Sequence, residues 1–139
     1  MVPEQETTLN FFRFEDLRIY SKALDYVNWL HGVVVTIPAS YQESVILPFL
    51  KSAQSIALSI AEGSSRNKAQ FIYYLKMAKS SVRECVVYTT IASRLDLLSE
   101  EDKEYSRTQL MEMTKMIGSL VSSLQKLVPN AKDEDMDMA

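Results

Sequence analysis

The chain has 139 residues, 47% hydrophobic and 24% charged, the size of one domain and enough to bury one continuous core without staples. Three glycines and four prolines are too few for the many turns of a strand-rich fold. The net charge of −3 resides in the ends: residues 1–13 carry one base and two acids, residues 129–139 one base and four acids, and residues 14–128 balance at +1. The acidity therefore says little against an anionic partner.

Taken in chain order, the periods predict four helices. The first begins near Glu15 and Asp16, acids that suit the positive end of a helix dipole, and carries an apolar stripe at Leu17, Tyr20, Leu24, Val27, Leu30, His31 and Val34. It stops before Pro38. The second starts at Ser44 or Leu47, tolerates Pro48 in its first turn, and runs to Ala61, with Gly63 as a left-handed stop. Its stripe is Ile46, Leu50, Ala53, Ala57, Ile60 and Ala61, and its many serines and alanines let a neighbour approach closely. The third spans residues 68–98, with Phe71, Leu75, Ala78, Val82, Cys85, Thr89 and Ala92 as its core face. Ser99 then caps a fourth helix whose first turn is acidic and whose seam is Leu110, Met113, Ile117, Leu120, Leu124 and Leu127. Pro129 ends it. The expected organisation is an N-terminal extension (1–13), an all-α, antiparallel up-down-up-down four-helix bundle (14–128) and an acidic disordered tail (129–139).

The stretch Ser55-Ile56-Ala57-Leu58-Ser59-Ile60-Ala61-Glu62-Gly63-Ser64-Ser65-Arg66 resembles a bacterial four-helix-bundle family, some of whose members are encoded in intervening sequences of large-subunit ribosomal RNA genes. Phe14-Glu15-Asp16-Leu17 with Ala23 supports the resemblance, as do Phe71, Leu75, Ala78, Ser81 and Glu84, and Met116-Ile117-Gly118-Ser119-Leu120 with Leu124. It covers residues 14–127. Ser59 stands where the family usually has asparagine, Pro48 where it commonly has glutamine, and Lys51 alone remains of a basic pair. The resemblance implies a ring-shaped homopentamer without known enzymatic activity. The chain is similar too to the accessory variability proteins of diversity-generating retroelements, which bind nucleic acid and a reverse transcriptase and are strongly basic.

Signs of catalysis are few. One histidine and one cysteine support no triad or zinc site, Glu84 and Glu112 lack the histidine three residues on that a di-iron bundle needs, and the chain has no P-loop or Gly-x-Gly-x-x-Gly. The expectation is a non-enzyme with no cofactor and no metal. His31 and Cys85 read as packed residues. No segment approaches the roughly 20 apolar residues of a membrane span and the N-terminus lacks a signal-peptide pattern, so the expectation is a cytoplasmic protein with no membrane partner.

Two groupings carry the functional reading. From Ser64 to Arg83 there are five bases and no acid, and at about 100° per residue Lys68, Lys76, Lys79 and Arg83 share one arc of roughly 80° beside the core stripe. That arc suits RNA or DNA phosphates, or alternatively acids of a neighbouring helix or subunit such as Glu100, Glu101 and Asp102. Glu62, Gly63 and Arg66 form a structural corner in which Arg66 offsets an acid at a helix C-terminus, the alternative being a ligand contact. Ile19, Phe49, Ile56, Met111 and Met116 exceed what one bundle seam needs and predict a homo-oligomer. The chain thus reads as an oligomeric scaffold or binding module contacting nucleic acid or a nucleic-acid enzyme; the alternative is a purely structural assembly of mobile-element or intervening-sequence origin.

Overall fold

The computed structural model describes residues 11–128, so most of the N-terminal extension and the whole acidic tail expected from the sequence lie outside the described residues. Four α-helices form an antiparallel bundle: α1 (Arg18–Val34), α2 (Leu47–Ser64), α3 (Lys68–Arg94) and α4 (Glu100–Gln125). Each packs against its neighbour in sequence, and α4 closes the ring against α1. Strands are absent among the described residues.

Local chemistry sets each boundary. Glu15 and Asp16 lie in a short 3-10 turn (Arg13–Asp16), and extended Leu17 (ψ 127°) separates that turn from α1. A turn (Ala39–Tyr41) and one wide π-helical turn (Gln42–Ile46) lead into α2. Pro48 sits in its first turn, where the ring excludes the ordinary approach of the carbonyl four residues earlier. Asn67 Oδ1 caps α3 by accepting from Gln70 N–H at 2.9 Å, and Ser99 Oγ caps α4 by accepting from Asp102 N–H at 3.0 Å. Helix α3 ends at Arg94, short of the expected Leu98. Asp96 adopts φ 59°, and the amides of Leu97 and Asp96 return to the carbonyls of Ala92 and Ser93. That bond pair is a Schellman motif with aspartate where glycine is usual.

The core runs the length of the bundle, with Leu30, Phe49, Ile56, Ile60, Leu75 and Leu110 fully enclosed. Each such side chain contributes about 1.5–3 kcal/mol relative to exposure. Helix α3 buries Ile72 in place of the half-buried Phe71 and otherwise matches its predicted face. Helix α1 does not: Ile19, Ala23, Tyr26, Leu30, Val33 and Val34 face inward, while Leu24 and His31 are exposed. Two neighbouring stripes of α1 are apolar, and spacing alone cannot say which points at the core. Helix α4 buries Leu110, Met113 and Ile117 as predicted but then Val121 and Gln125, leaving Leu120 and Leu124 at the edge. A straight α-helix walks off a heptad-spaced seam within a few turns, because its period is slightly longer than half a heptad.

Helix α2 has a further property. The stretch Ala39–Ser64 reaches a mean hydropathy of 1.4, long and apolar enough to cross a membrane by length and composition, against the sequence expectation. One side of it is spent within the bundle, where Phe49, Ala53, Ile56 and Ile60 are solvent-free, while Leu47 and Leu58 are exposed.

One polar chain crosses the apolar interior. Thr89 Oγ1 donates to the Cys85 carbonyl at 2.7 Å, which leaves it to accept from Ser106 Oγ at 2.8 Å. Ser106 in turn accepts from the Tyr26 hydroxyl at 2.7 Å. All three hydroxyls are buried, and they tie α1, α4 and α3 together. Burial raises the Tyr26 phenol well above its ordinary range, and burial likewise raises the Cys85 thiol, leaving it without nucleophilic thiolate.

Candidate functional site

The short α2–α3 connection, Ser65 to Asn67, turns the chain through the corner singled out in the sequence. Gly63 belongs to α2 and has no positive φ, so it is not the left-handed stop expected of it. Its role is proximity: a Cβ there would lie 2.5 Å from Tyr74 Cβ and 3.0 Å from Phe71 Cδ1. Absence of a side chain lets the first turns of α3 cross the last turn of α2. Ser64 and Ser65 hydroxyls donate to the carbonyls of Ala61 and Glu62, satisfying acceptors that the helix end leaves open.

Arg66 folds back over this corner. Its Nη2 and Nε donate to Glu62 Oε2 at 2.6 and 3.0 Å, and its guanidinium carbon lies 5.4 Å from the Tyr74 ring centroid. The hydrogen bond to Glu62, with the neighbouring Tyr74 and Glu62 charges, raises the guanidinium's pKa further. Glu62, Gly63, Arg66 and Tyr74 thus form one small assembly on the surface.

The predicted basic arc lies along α3 beyond that corner. Lys68 and Arg83 are exposed, Lys76 and Lys79 half-buried. Among the described residues, Lys68, Lys79 and Arg83 have no acid within ion-pairing distance. Glu100, Glu101 and Asp102 stand at the start of α4, where Glu100 meets Lys103 at 4.0 Å. With a helical rise of about 1.5 Å per residue, this is beside the far end of α3, roughly 20 Å from Lys79 along the axis. Glu84, the nearest acid in sequence, accepts from Ser52 Oγ of α2 at 2.8 Å. The sequence reading missed Arg107, which lines the surface groove between α3 and α4 with Val86, Glu104, Met111 and Thr114. Val86 follows Arg83 by one helical turn and Lys79 by two, on the same side of α3. Only the antiparallel register of α3 and α4 brings Arg107 there.

A second surface feature lies on the outward side of α3. Tyr73, Met77, Val87, Ile91 and Leu95 recur at helical spacing and are all exposed, Tyr73 at 61% and Val87 at 56%. On another face, Tyr20, Leu24 and Val27 of α1 and Ala57, Leu58 and Ala61 of α2 line an apolar groove of about 350 Å³, with Leu58 67% exposed. Of the residues read as surplus apolar positions, Ile19, Phe49 and Ile56 are all buried inside the single chain. Met111 is exposed and Met116 half-buried. Among the described residues, no three His, Cys, Asp or Glu side chains are grouped to hold a metal.

The model of the family described as 23S rRNA-intervening sequence protein matches residues 15–119, from the turn before α1 to within the last two turns of α4. No curated protein matches the chain.

Proposed function

Because the chain belongs to the 23S rRNA-intervening sequence protein family, we propose that it is a non-enzymatic helical scaffold. In this reading it assembles into a homopentameric ring and presents the basic edge of α3 to nucleic-acid phosphates. The observation that carries the reading is the pair of unlike apolar surfaces on one subunit, the outer row of α3 and the α1–α2 groove. Contiguous apolar area is seldom left to water without a partner, and a contact between two different patches is head-to-tail, the kind that forms a ring when its rotation closes and a filament when it does not. The number five rests on the family resemblance. Lys68, Lys79 and Arg83 run beside the apolar row, so a ring would repeat the basic edge around its circumference and bind long strands far better than short ones.

Light scattering after size exclusion at tens of micromolar should give about five times the 15.8 kDa chain mass. Leu58→Glu and Ile91→Glu should each give monomers, and their mixture a dimer that grows no further, since one intact patch of each kind remains. A monomeric wild type refutes the assembly. Polarisation of a labelled 30-nucleotide strand should show weak, steeply salt-dependent binding that Lys79→Glu with Arg83→Glu removes. A strand that never binds leaves a purely structural assembly.

A further inference from the structure

We infer that the ligand of the basic face is a single nucleic-acid strand held in the groove between α3 and α4, with Arg107 and Lys115 of α4 as a second basic wall. The inference rests on the phosphate-binding reading above and deepens it. Register places the two walls. The 2.8 Å bond between Thr89 and Ser106 fixes those residues opposite one another on antiparallel α3 and α4. Met111 therefore comes level with Glu84, beside Arg83, and Lys115 comes level with Ser80, beside Lys79. On α3, Lys79, Arg83 and Val86 recur at steps of four and three; on α4, Arg107, Met111, Thr114 and Gly118 do the same. Lys79, Lys115, Arg83 and Arg107 thus span about 14 Å along the axis, on helices about 8–10 Å apart.

The charges point one way. None of these four bases has an acid within ion-pairing distance among the described residues. The neighbouring acids Glu84 and Glu112 turn to other helices, to Ser52 of α2 at 2.8 Å and Lys22 of α1 at 2.6 Å. Glu104 is the acid in the groove lining. It lies one turn before Arg107, so it marks the end of the basic stretch toward the α3–α4 connection. Two features favour one strand over a duplex. The walls are a single helix spacing apart, so their side chains converge on one backbone, and Gly118, with nothing within 4 Å of a Cβ position, leaves the groove open near Lys79. Val86 and Met111 offer apolar contact to splayed bases, which a duplex keeps inside its stack. With phosphate charge as the main contact, such a groove reads no sequence.

Polarisation of a labelled eight-nucleotide oligouridine, short enough to engage one groove, tests the second wall. With about 0.7 counterions released per phosphate met, four bases give a log–log salt slope of about −2.8. Arg107→Gln and Lys115→Gln should each weaken binding about three- to fivefold at low salt and reduce the slope's magnitude by about 0.7, as Arg83→Gln should. Lys51→Gln, which removes the same charge from α2, should change neither comparably, and Glu104→Gln should tighten binding about twofold. Arg107 and Lys115 are exposed, so thermal melts of their variants should match the unaltered chain. Weakening by Lys79→Gln and Arg83→Gln, with none by Arg107→Gln or Lys115→Gln, would overturn the groove and keep the edge of α3 as the phosphate surface. Binding of an eight-base-pair duplex as tight as that of the strand would likewise overturn it. If the unaltered chain binds no strand at low salt, the groove and the phosphate reading both fall.

Discussion

The buried hydroxyl chain offers the sharpest energetic test. Tyr26→Phe keeps the ring and removes the donor to Ser106, leaving one acceptor lone pair of Ser106 unmet in the core. The expected cost is about 1–2 kcal/mol, the worth of a buried neutral hydrogen bond with a lightly penalised leftover. Ser106→Ala is worse by structure: it strands the Tyr26 hydroxyl as a buried donor and takes from Thr89 the donor it accepts. Two groups suffer, and the expected cost is about 2–3 kcal/mol. In the double variant the stranded phenol no longer exists, so the cost should fall short of the summed singles by about 1 kcal/mol. Urea denaturation at one fixed protomer concentration measures all three, since the proposed assembly would make apparent stability concentration-dependent. In thermal melts each kcal/mol corresponds to about 3–4 °C for a chain this size. Additivity within about 0.3 kcal/mol, or a Tyr26→Phe variant as stable as wild type, would refute the polarised chain.

Other perturbations have opposite expected signs, which makes them easy to read. Gly63→Ala should destabilise by about 1–3 kcal/mol in urea melts, since the new methyl meets backbone-anchored Tyr74 Cβ. Gly32→Ala and Gly118→Ala, with nothing within 4 Å, should stabilise by up to about 1 kcal/mol through helix propensity. Asp96→Gly should raise the melting temperature by the equivalent of about 0.5–1 kcal/mol, because it relieves φ 59° and removes an acid from a helix C-terminus. Asp96→Val should lower it. Stability should also decline in alkali. Tyr26 and Cys85 have folded pKa values raised above 10.0 and 9.0, so their contribution is complete below those values and lost as pH rises through the folded ones. Urea midpoints between pH 8 and 11 should fall, and Tyr26→Phe should flatten the upper part of that decline.

What could be read from the sequence follows a physical division. Helix starts are announced locally, so Ser99 with its acidic turn, Pro48 and the short polar corner placed three of the four helix starts closely. The end of α3 escaped because a Schellman motif built on aspartate has no glycine to announce it. Facing direction is global. In α1 the stripes through Tyr20 and Leu24 and through Ile19 and Ala23 are both apolar, and only the positions of α2 and α4 select the second. His31 went astray with its stripe. Tyr26 and Ser106 are 80 residues apart and carry no spacing signal, so the hydroxyl chain was invisible, though Thr89 on the predicted core face was a hint that a buried hydroxyl needed a partner. Glu62 and Arg66 could be paired on paper because only four positions and one tight turn separate them.

The close crossing at Gly63 also bears on how the chain finds its shape. A short turn and the most extensive helix–helix packing in the molecule make α2 and α3 a hairpin of low contact order. Closing so short a loop takes little entropy, whereas docking α1 onto α4 must gather residues as distant in sequence as Tyr26 and Ser106. The transition state for folding should therefore contain the α2–α3 hairpin and little of the α1–α4 contact. Trimming Ile60 or Leu75 should slow refolding, while trimming Ile19 should mainly hasten unfolding, as the two arms of a chevron plot would show.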